Sequence, residues 1–271
     1  MELSEILELK VSDGLACDGF GPLYPWGGLY GGQIVAQALL AAGSTVDEQF
    51  VCHSLRAYFI RRGVHNQTVH YQPEALRDGR SYCTRRVVAH QGAGAILNLE
   101  ASFALPEQSE DVELVRLPSG LPAPGAGESS SWTPAFERSY VPNEILAASS
   151  RDGEGRAAAW MKACGDFGDN RLLHQAALAY LSDDLPTDAV VRSHPAAVAG
   201  GEEVWNSLFS ASLDHSIWFH RPVSATEWHL HDFSCHTFVG GRGLSIGHIF
   251  DEAGSHIATV AQEVLLRFAR H

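Results

Sequence analysis

Short motifs recur along this chain at one constant spacing, the 162 residues that separate His53 from His215. Three pairs share it: His53-Ser54-Leu55 with His215-Ser216-Ile217, Gly79-Arg80 with Gly241-Arg242, and Gly92 with Gly254. Recurrence at one offset, inside matching apolar patterns, is typical of a duplicated domain. The sequence therefore predicts that the 271 residues form two copies of one unit.

A stretch rich in Pro, Gly and Ser lies between the two copies and includes Pro118 to Gly127. No apolar period survives in it, which is typical of a linker. We therefore expect an N-terminal unit over residues 1–115, a linker over 116–135 and a C-terminal unit over 136–271.

Each half begins with one helix and continues with four extended segments. The helices are expected at Gly31–Ala42 and at Asn170–Leu181, the second capped by Asp169 or Asn170. The predicted strands are Phe50–Arg61, Gln67–Glu74, Ser81–His90 and Ala95–Ala104, then Ser210–His220, Glu227–Thr237, Gly243–Phe250 and His256–Phe268. This pattern favours an α+β fold with helices on one face of an antiparallel sheet. The second half carries 24 additional residues after Asp183, which we predict to be an inserted loop.

Overall charge and hydropathy exclude several classes of protein. Acidic residues outnumber basic ones by 32 to 19, for a net charge of −13, which argues against a nucleic-acid or anionic-membrane binder. No apolar run is long enough to cross a bilayer, and the acidic N-terminus is unlike a signal peptide. Five scattered cysteines without a Cys-x-x-Cys pair fit a reduced compartment. We expect a cytoplasmic protein with no integral membrane segment.

Two motifs that suggest catalysis do not have the context they need. Gly243-x-Ser245-x-Gly247 matches a nucleophile elbow, but the alternation continues as a strand and only 24 residues follow. His229, His231 and His236 cluster without a carboxylate at ligand spacing, so we interpret them as half-exposed strand histidines. We therefore expect no metal site and no cofactor.

Two other features leave alternatives open. Glycines from Gly27 to Gly32 open the first helix; they either expose N–H groups to a carbonyl or an anion, or merely allow close packing. Residues 51–90 contain only two acids but seven arginines: Arg56, Arg61, Arg62, Arg77, Arg80, Arg85 and Arg86. That local charge suits a small phosphorylated ligand, but it equally suits solvated strand faces whose arginines pair with acids.

Several motifs together resemble one known family over nearly the whole chain. They are Tyr30-Gly31-Gly32-Gln33, Val51 to Leu55, Leu76 to Ser81, Arg85-Arg86-Val87, Ala101-Ser102-Phe103, Leu213 to Pro222 and Ala261-Gln262-Glu263. The chain resembles the acyl-CoA thioesterase II family. The resemblance implies a double hotdog, in which two repeats each wrap an antiparallel sheet around a long helix. It also implies a homo-oligomer that hydrolyses fatty acyl-CoA.

In that family an Asp, a Thr or Ser and a Gln activate a water molecule, and the matching positions here are Asp183, Ser212 and Gln262. Asp184 beside Asp183 leaves some ambiguity. The positions equivalent to Gln262 and Ser212 in the first half are Glu100 and Phe50, so we expect one active site per chain. Candidate substrate contacts are Gly31, Gly32, His53, Arg80, Arg85 and Arg86.

Two other functions remain open. A hotdog enoyl-CoA hydratase would need an Asp/His pair, which the Asp–Ser–Gln set fits less well. A non-catalytic acyl-CoA binding module is the alternative from a different class.

Overall fold

The computed structural model describes residues 1–12, 14–126, 130–149, 155–196 and 208–268. The helices are α1 (Leu3–Ile6), α2 (Gly31–Gly43), α3 (Asn143–Ser149), α4 (Arg171–Ser182) and α5 (Pro186–Ser193). The strands of the first half are β1 (Lys10–Val11), β2 (Cys17–Gly19), β3 (Val51–Phe59), β4 (Val69–Asp78), β5 (Tyr82–Gln91) and β6 (Gly94–Ala104). Those of the second half are β7 (Phe136–Tyr140), β8 (Arg156–Ala163), β9 (Leu208–Ser212), β10 (Asp214–Phe219), β11 (His229–Val239), β12 (Arg242–Asp251) and β13 (His256–Phe268).

In the described chain, these thirteen strands form one antiparallel sheet. Its order is β1-β2-β4-β5-β6-β3-β10-β13-β12-β11-β8-β7. Strand β9 lies off this path and pairs with β13, next to the segment of β13 that pairs with β10. The β3–β10 pair joins the two halves, with Leu55 opposite Ile217. No described helix is long and apolar enough to cross a membrane.

Helices α2 and α4 lie side by side and run in opposite directions. A Cβ at Gly32 would lie 2.4 Å from the Tyr180 carbonyl oxygen, and a Cβ at Gly43 would lie 2.4 Å from a Leu172 methyl carbon. Glycine permits this close approach because it carries no side chain. The start of α2 therefore meets the end of α4, and Asn170 caps the start of α4 by accepting from the Leu172 and Leu173 N–H groups.

The segment between the halves packs against the second half. Leu117 and Leu121 contact a buried cluster that includes Trp160 and Phe250. The Trp160 indole N–H donates to the Pro122 carbonyl oxygen at 3.0 Å. The described part of the expected linker is thus held on the protein surface and is not a free tether.

Two expectations about the second half need correction. The single strand predicted over Ser210–His220 is divided at Leu213 into β9 and β10. The predicted loop after Asp183 begins with helix α5, where Pro186 occupies the first turn, a position that tolerates a missing N–H group. The end of that insertion, 197–207, lies outside the described residues.

Candidate active site

Three elements of the second half bring the predicted Asp, Ser and Gln together. Asp183 is the residue that ends α4, Ser212 is the last residue of β9, and Gln262 lies in β13. Because β9 pairs with β13 so that Ser212 faces Val264, Ser212 lies two positions along β13 from Gln262. The site therefore depends on the break between β9 and β10 that the sequence did not predict.

Hydrogen bonds join these three side chains into one group. The Gln262 amide Nε2 donates to Ser212 Oγ at 2.8 Å, and the Ser212 hydroxyl is 3.4 Å from Asp183 Oδ1, to which it donates. The Gln262 amide also bonds to the Asp183 carboxylate. Gln262 is fully buried and Asp183 is 6% exposed. The group can hold a water molecule beside a carboxylate.

Burial raises the pKa of the Asp183 carboxyl to about 7. Hydrogen bonds from Gln262, the Gly32 backbone and Ser212 oppose this rise, while the charge of Asp184 adds to it. A carboxylate whose pKa lies near neutrality is well matched to accept a proton from water in a general-base step.

The glycines at the start of α2 are required by Asp183. A Cβ at Gly31 would lie 2.6 Å from Asp183 Oδ2 and 3.0 Å from the ring of Phe59. The Gly32 N–H bonds to the same carboxylate. The two interpretations of the glycine run were close packing and exposed N–H groups that meet an anion, and both apply here. The glycines allow α2 to pack closely, and the anion at the start of the helix is the Asp183 side chain.

Asp184 has a different set of partners. Its Oδ2 accepts from Arg138 Nη1 at 2.5 Å, and its Oδ1 accepts from the Trp132 indole at 2.8 Å. Both carboxylate oxygens are therefore engaged, one by a side chain of the second half and one by a side chain of the expected linker. Of the two adjacent acids, Asp183 is the one that contacts Ser212 and Gln262.

His215 is a member of this group that the sequence analysis used only as a repeat marker. Its Nδ1 lies 2.5 Å from Gln262 Oε1, and its Nε2 lies 3.0 Å from Ser182 Oγ. The imidazole is fully buried, and burial lowers its pKa to about 4. The sequence did contain a signal for His215, because the histidine occurs in a strand motif that both halves share.

The structure does not bring His53 to the Asp183 group. The β3–β6 pairing is irregular between Cys52 and Ser54, which is a β-bulge at His53. Its Nε2 bonds to Ser102 Oγ at 2.8 Å, and its ring packs against Tyr82. Residues matched by the 162-residue spacing thus have different surroundings because one strand contains an extra residue.

The predicted arginines are also separate from Asp183. Arg85 is 4% exposed, and all its N–H groups are engaged by protein acceptors in Thr45, Arg77, Asp78 and Thr84. No donor of Arg85 remains for a phosphate, so its proposed substrate contact is not supported. Arg80 is exposed. Exposed Arg86 pairs with Glu74 at 2.7 Å.

Opposite charges alternate across four neighbouring strands of the first half. Glu74 on β4 faces Arg86 on β5, which faces Glu100 on β6, which faces Arg56 on β3. Arg56 also lies over the Trp218 ring, 5.2 Å from its centre. Pairing of strand faces therefore accounts for part of the arginine-rich stretch.

Arg62 lies against Gly28, shortly before the start of α2, and the sequence did not single it out. Its guanidinium donates to the Trp26 carbonyl oxygen, and a Cβ at Gly28 would lie 2.5 Å from its Nε. It follows Phe59, whose ring lies against Gly31. Arg62 therefore lies at the same end of β3 as the Gly31–Asp183 contact.

Other predicted features of the second half lie outside this group. His229 and His231 are buried, contrary to the half-exposed positions expected, while His236 is exposed. Within the described ranges, no group of three or more His, Cys, Asp or Glu side chains could hold a metal ion. Ser245 is fully buried within β12, which is not a nucleophile elbow.

Two family models match consecutive parts of the sequence. The acyl-CoA thioesterase N-terminal domain matches residues 22–104, and the acyl-CoA thioesterase C-terminal domain matches residues 107–266. The chain belongs to the acyl-CoA thioesterase family. Among relatives of this family, acyl-CoA thioesterase 2 of Haemophilus influenzae is 31% identical over 98% of this chain and 97% of its own. Acyl-coenzyme A thioesterase 8 of Mus musculus is 31% identical over 88% of this chain and 80% of its own.

Two solved structures share the fold. An acyl-CoA thioesterase II from Mycobacterium marinum is 32% identical, with a TM-score of 0.84 over 98% of this chain and 97% of its own. A hot dog fold protein of unknown function from Alicyclobacillus acidocaldarius has a TM-score of 0.78 at 18% identity over 99% and 98% of the two chains. The second likeness shows the fold alone. The chain is thus a hotdog-fold thioesterase with a large antiparallel sheet.

Proposed function

We propose that this protein hydrolyses acyl-CoA thioesters to free acid and CoA, using a water molecule held by Asp183, Ser212 and Gln262. The observation that carries the proposal is the hydrogen-bonded group itself, in which a buried carboxyl with a pKa of about 7 adjoins a hydroxyl and an amide. Relatives named as acyl-CoA thioesterases over nearly the whole chain support it.

The chemistry follows from the donors and acceptors of this group. Ionised Asp183 takes one proton from the bound water while the water oxygen attacks the thioester carbonyl carbon. Ser212 and Gln262 orient the water through their hydroxyl and amide groups. When the tetrahedral intermediate collapses, the carbon–sulfur bond breaks, and the proton on Asp183 passes to the departing thiolate. Asp183 is then ionised again.

The start of α2 supplies a field that favours the intermediate. Its first turn lies against Asp183, at Gly31 and Gly32, and a helix N-terminus stabilises nearby negative charge. The Gly32 N–H already bonds to Asp183, so we assign the field of this helix end, and not that N–H group, to the developing oxyanion of the thioester carbonyl.

The domain organisation belongs to the same proposal: two hotdog repeats over 1–115 and 136–271, connected by 116–135, with one active site per chain. The register that supports two equal repeats is Leu55 opposite Ile217, Ser54 opposite Trp218 and Arg56 opposite Ser216. At the 162-residue spacing, Ile217 is the counterpart of Leu55, while Ser216 and Trp218 are those of Ser54 and Arg56. The central strands therefore pair symmetrically, as a duplication requires.

Substrate contacts are proposed on exposure and position. Arg62 lies beside the start of α2, and Arg80 and Arg86 are exposed, so these three are proposed for the phosphates of CoA. Gly31 and Gly32 are proposed to line the thioester position. A homo-oligomer is also proposed, because β1 and β7 leave open edges on the sheet.

A thiol-reagent assay on a panel of acyl-CoAs of different chain lengths tests this function. Hydrolysis releases one free thiol per ester, and Asp183→Asn is expected to slow it about 10³-fold. Loss of an enoyl-CoA double bond without thiol release would instead indicate a hydratase. Binding of acyl-CoA with neither reaction would indicate a non-catalytic binding module.

A further inference from the structure

We propose that His215 is a positioning residue that fixes the direction of the Gln262 amide, and so keeps its NH₂ group aimed at Ser212 and Asp183. This inference rests on the proposed function, since it matters for catalysis only where those residues hold the water. The juxtaposition that carries it is His215 Nδ1 at 2.5 Å from Gln262 Oε1, with Gln262 Nε2 at 2.8 Å from Ser212 Oγ.

Hydrogen-bond chemistry assigns the imidazole proton. An amide oxygen only accepts, so a bond between Gln262 Oε1 and His215 Nδ1 requires that Nδ1 carry the proton. In the neutral imidazole, Nε2 is then an acceptor, and the Ser182 hydroxyl at 3.0 Å can donate to it. His215, Ser182 and Gln262 are all fully buried, so solvent does not compete for these bonds.

One other arrangement would satisfy His215 and Ser182. Nε2–H would donate to Ser182 Oγ, whose own proton would go to the Ala179 carbonyl oxygen at 2.9 Å. Nδ1 would then be an acceptor, and the Gln262 amide would have to turn its NH₂ group towards it. The histidine tautomer and the amide direction are therefore one coupled choice.

Asp183 decides between the two arrangements. With the amide reversed, Gln262 Oε1 would face Ser212 and the Asp183 carboxylate, and the carboxylate would lose a donor and gain a repulsive oxygen. The arrangement with Nδ1–H is the one that stabilises ionised Asp183, the form that accepts the proton. A histidine that donates from Nδ1 keeps the amide in that direction before substrate binds.

His53 indicates that the fold itself does not require this contact. It occupies the matching position in the first half, where a bulge directs it to Ser102 and where Phe103, which pairs with Cys83 as Gln262 pairs with Ser245, replaces the glutamine. The pairing of a buried histidine with Gln262 therefore belongs to the half that carries the Asp–Ser–Gln group.

Two substitutions at His215 separate positioning from packing. His215→Leu removes the donor, and we expect kcat to fall about 10²-fold with KM changed less than about threefold, because the amide is free to turn. The acid limb of the kcat–pH profile should also move to higher pH, since Asp183 loses an N–H donor. The groups that face Asp183 and set this limb are Asp184, Gln262, Ser212 and the Gly32 N–H.

His215→Asn places an amide N–H close to the position of Nδ1–H. It should restore most of kcat and return the acid limb towards that of the unsubstituted protein. His231→Leu is the matched control, because His231 is equally buried in the second half but neither of its ring nitrogens has a hydrogen-bond partner among the described residues. It should leave kcat and the pH profile unchanged.

Three results would overturn the inference: a folded His215→Leu variant with normal kcat and pH profile, a His215→Asn variant as slow as His215→Leu, or a His215 imidazole protonated at Nε2. The last is read from ¹⁵N-histidine NMR spectra of the full chain, with the resonance assigned by its loss in His215→Asn, and it decides the question even if His215→Leu does not fold. Gln262→Glu and Asp183→Asn separate this failure from failure of the proposed function. Normal hydrolysis in both refutes the Asp–Ser–Gln site itself.

Discussion

Asp183 is held in the protein at a cost to stability. Its pKa rises from 3.8, the ordinary value of an aspartate, to about 7 because burial disfavours the charged form. Between these pH values the folded state binds more protons than the unfolded state, so its contribution to stability falls as pH rises. Above pH 7 the penalty is complete. The residue proposed as the base therefore destabilises the fold at the pH where it is active.

Asp183→Asn should stabilise the protein in a pH-dependent way. Asparagine resembles the neutral carboxyl, so the gain in free energy of unfolding should be near zero below pH 4, grow from pH 4 to 7 and then level off. From the size of the pKa shift, the plateau is up to about 4 kcal/mol. Urea unfolding of both proteins at pH 4, 6 and 8 measures it. A gain that is equal at all three pH values would contradict the pKa assigned to Asp183.

Arg62, Arg80 and Arg86 are all exposed, but Arg62 is distinguished by its place beside α2. We expect Arg62→Ala to raise KM for acyl-CoA about tenfold, because a charge-assisted contact to phosphate is lost. Its KM for the matching acyl-pantetheine, which has no phosphates, should change little.

Arg80→Ala and Arg86→Ala test the other two arginines proposed for the CoA phosphates, and equal effects of all three substitutions would mean that Arg62 has no special place among them. Added salt should remove any effect that comes only from general surface charge. No effect of Arg62→Ala on either substrate would exclude Arg62 from the proposed CoA site.

Helix α2 has a closely packed glycine at each end, and only the one at its start, Gly31, contacts the site. Gly31→Ala should lower kcat at least tenfold, because its Cβ would lie 2.6 Å from Asp183 Oδ2 and would displace the carboxylate. Gly43→Ala is the control at the other end, where the Cβ meets only the flexible Leu172 side chain. It should alter the unfolding midpoint while leaving kcat intact. A Gly31→Ala variant with normal kcat would show that Asp183 can move without loss.

Some helices and strands could be predicted from the sequence and others could not. Seven of the eight predicted strands were found as single strands, and α2 was predictable from its run of Ala and Leu, while the strand predicted over Ser210–His220 is divided into β9 and β10. Strand β8 was not, because Arg156–Ala163 is rich in alanine, which carries no strand preference. The first short strands, β1 and β2, have two and three residues and give no period to read.

The site was less predictable than the fold. A resemblance supplied Asp183, Ser212 and Gln262, but sequence spacing alone gave no reason to join a helix end to two strands. His215 was missed because the sequence shows only that it repeats His53, and not that the two histidines have different partners. The surroundings of Arg85 were not predictable, because its donors bond to Thr45, Arg77, Asp78 and Thr84, which come together only in the folded chain.

The two halves share one core, and both contribute contacts to the proposed active site. The Gly32 N–H of the first half bonds to Asp183 of the second, and the Tyr30 hydroxyl donates to the Tyr180 carbonyl oxygen at 2.9 Å. A further hydrogen bond between the halves runs from the Gln175 amide to the Cys52 carbonyl oxygen, at 2.6 Å. Although all three proposed catalytic residues lie in one repeat, their surroundings come from both.

A second half made alone should therefore be inactive. Residues 136–271 carry Asp183, Ser212 and Gln262, but without the first half β10 loses its partner β3 and Asp183 loses the Gly32 N–H. Co-expression with residues 1–135 should restore thiol release, because the interface between the halves is a continuous apolar core and a strand pair. For the same reason the intact chain should unfold in one transition by both far-ultraviolet circular dichroism and tryptophan fluorescence. Two separated unfolding transitions of the intact chain would mean that each repeat is an independent unit. Hydrolysis by residues 136–271 alone would mean, in addition, that the role assigned to the start of α2 is mistaken.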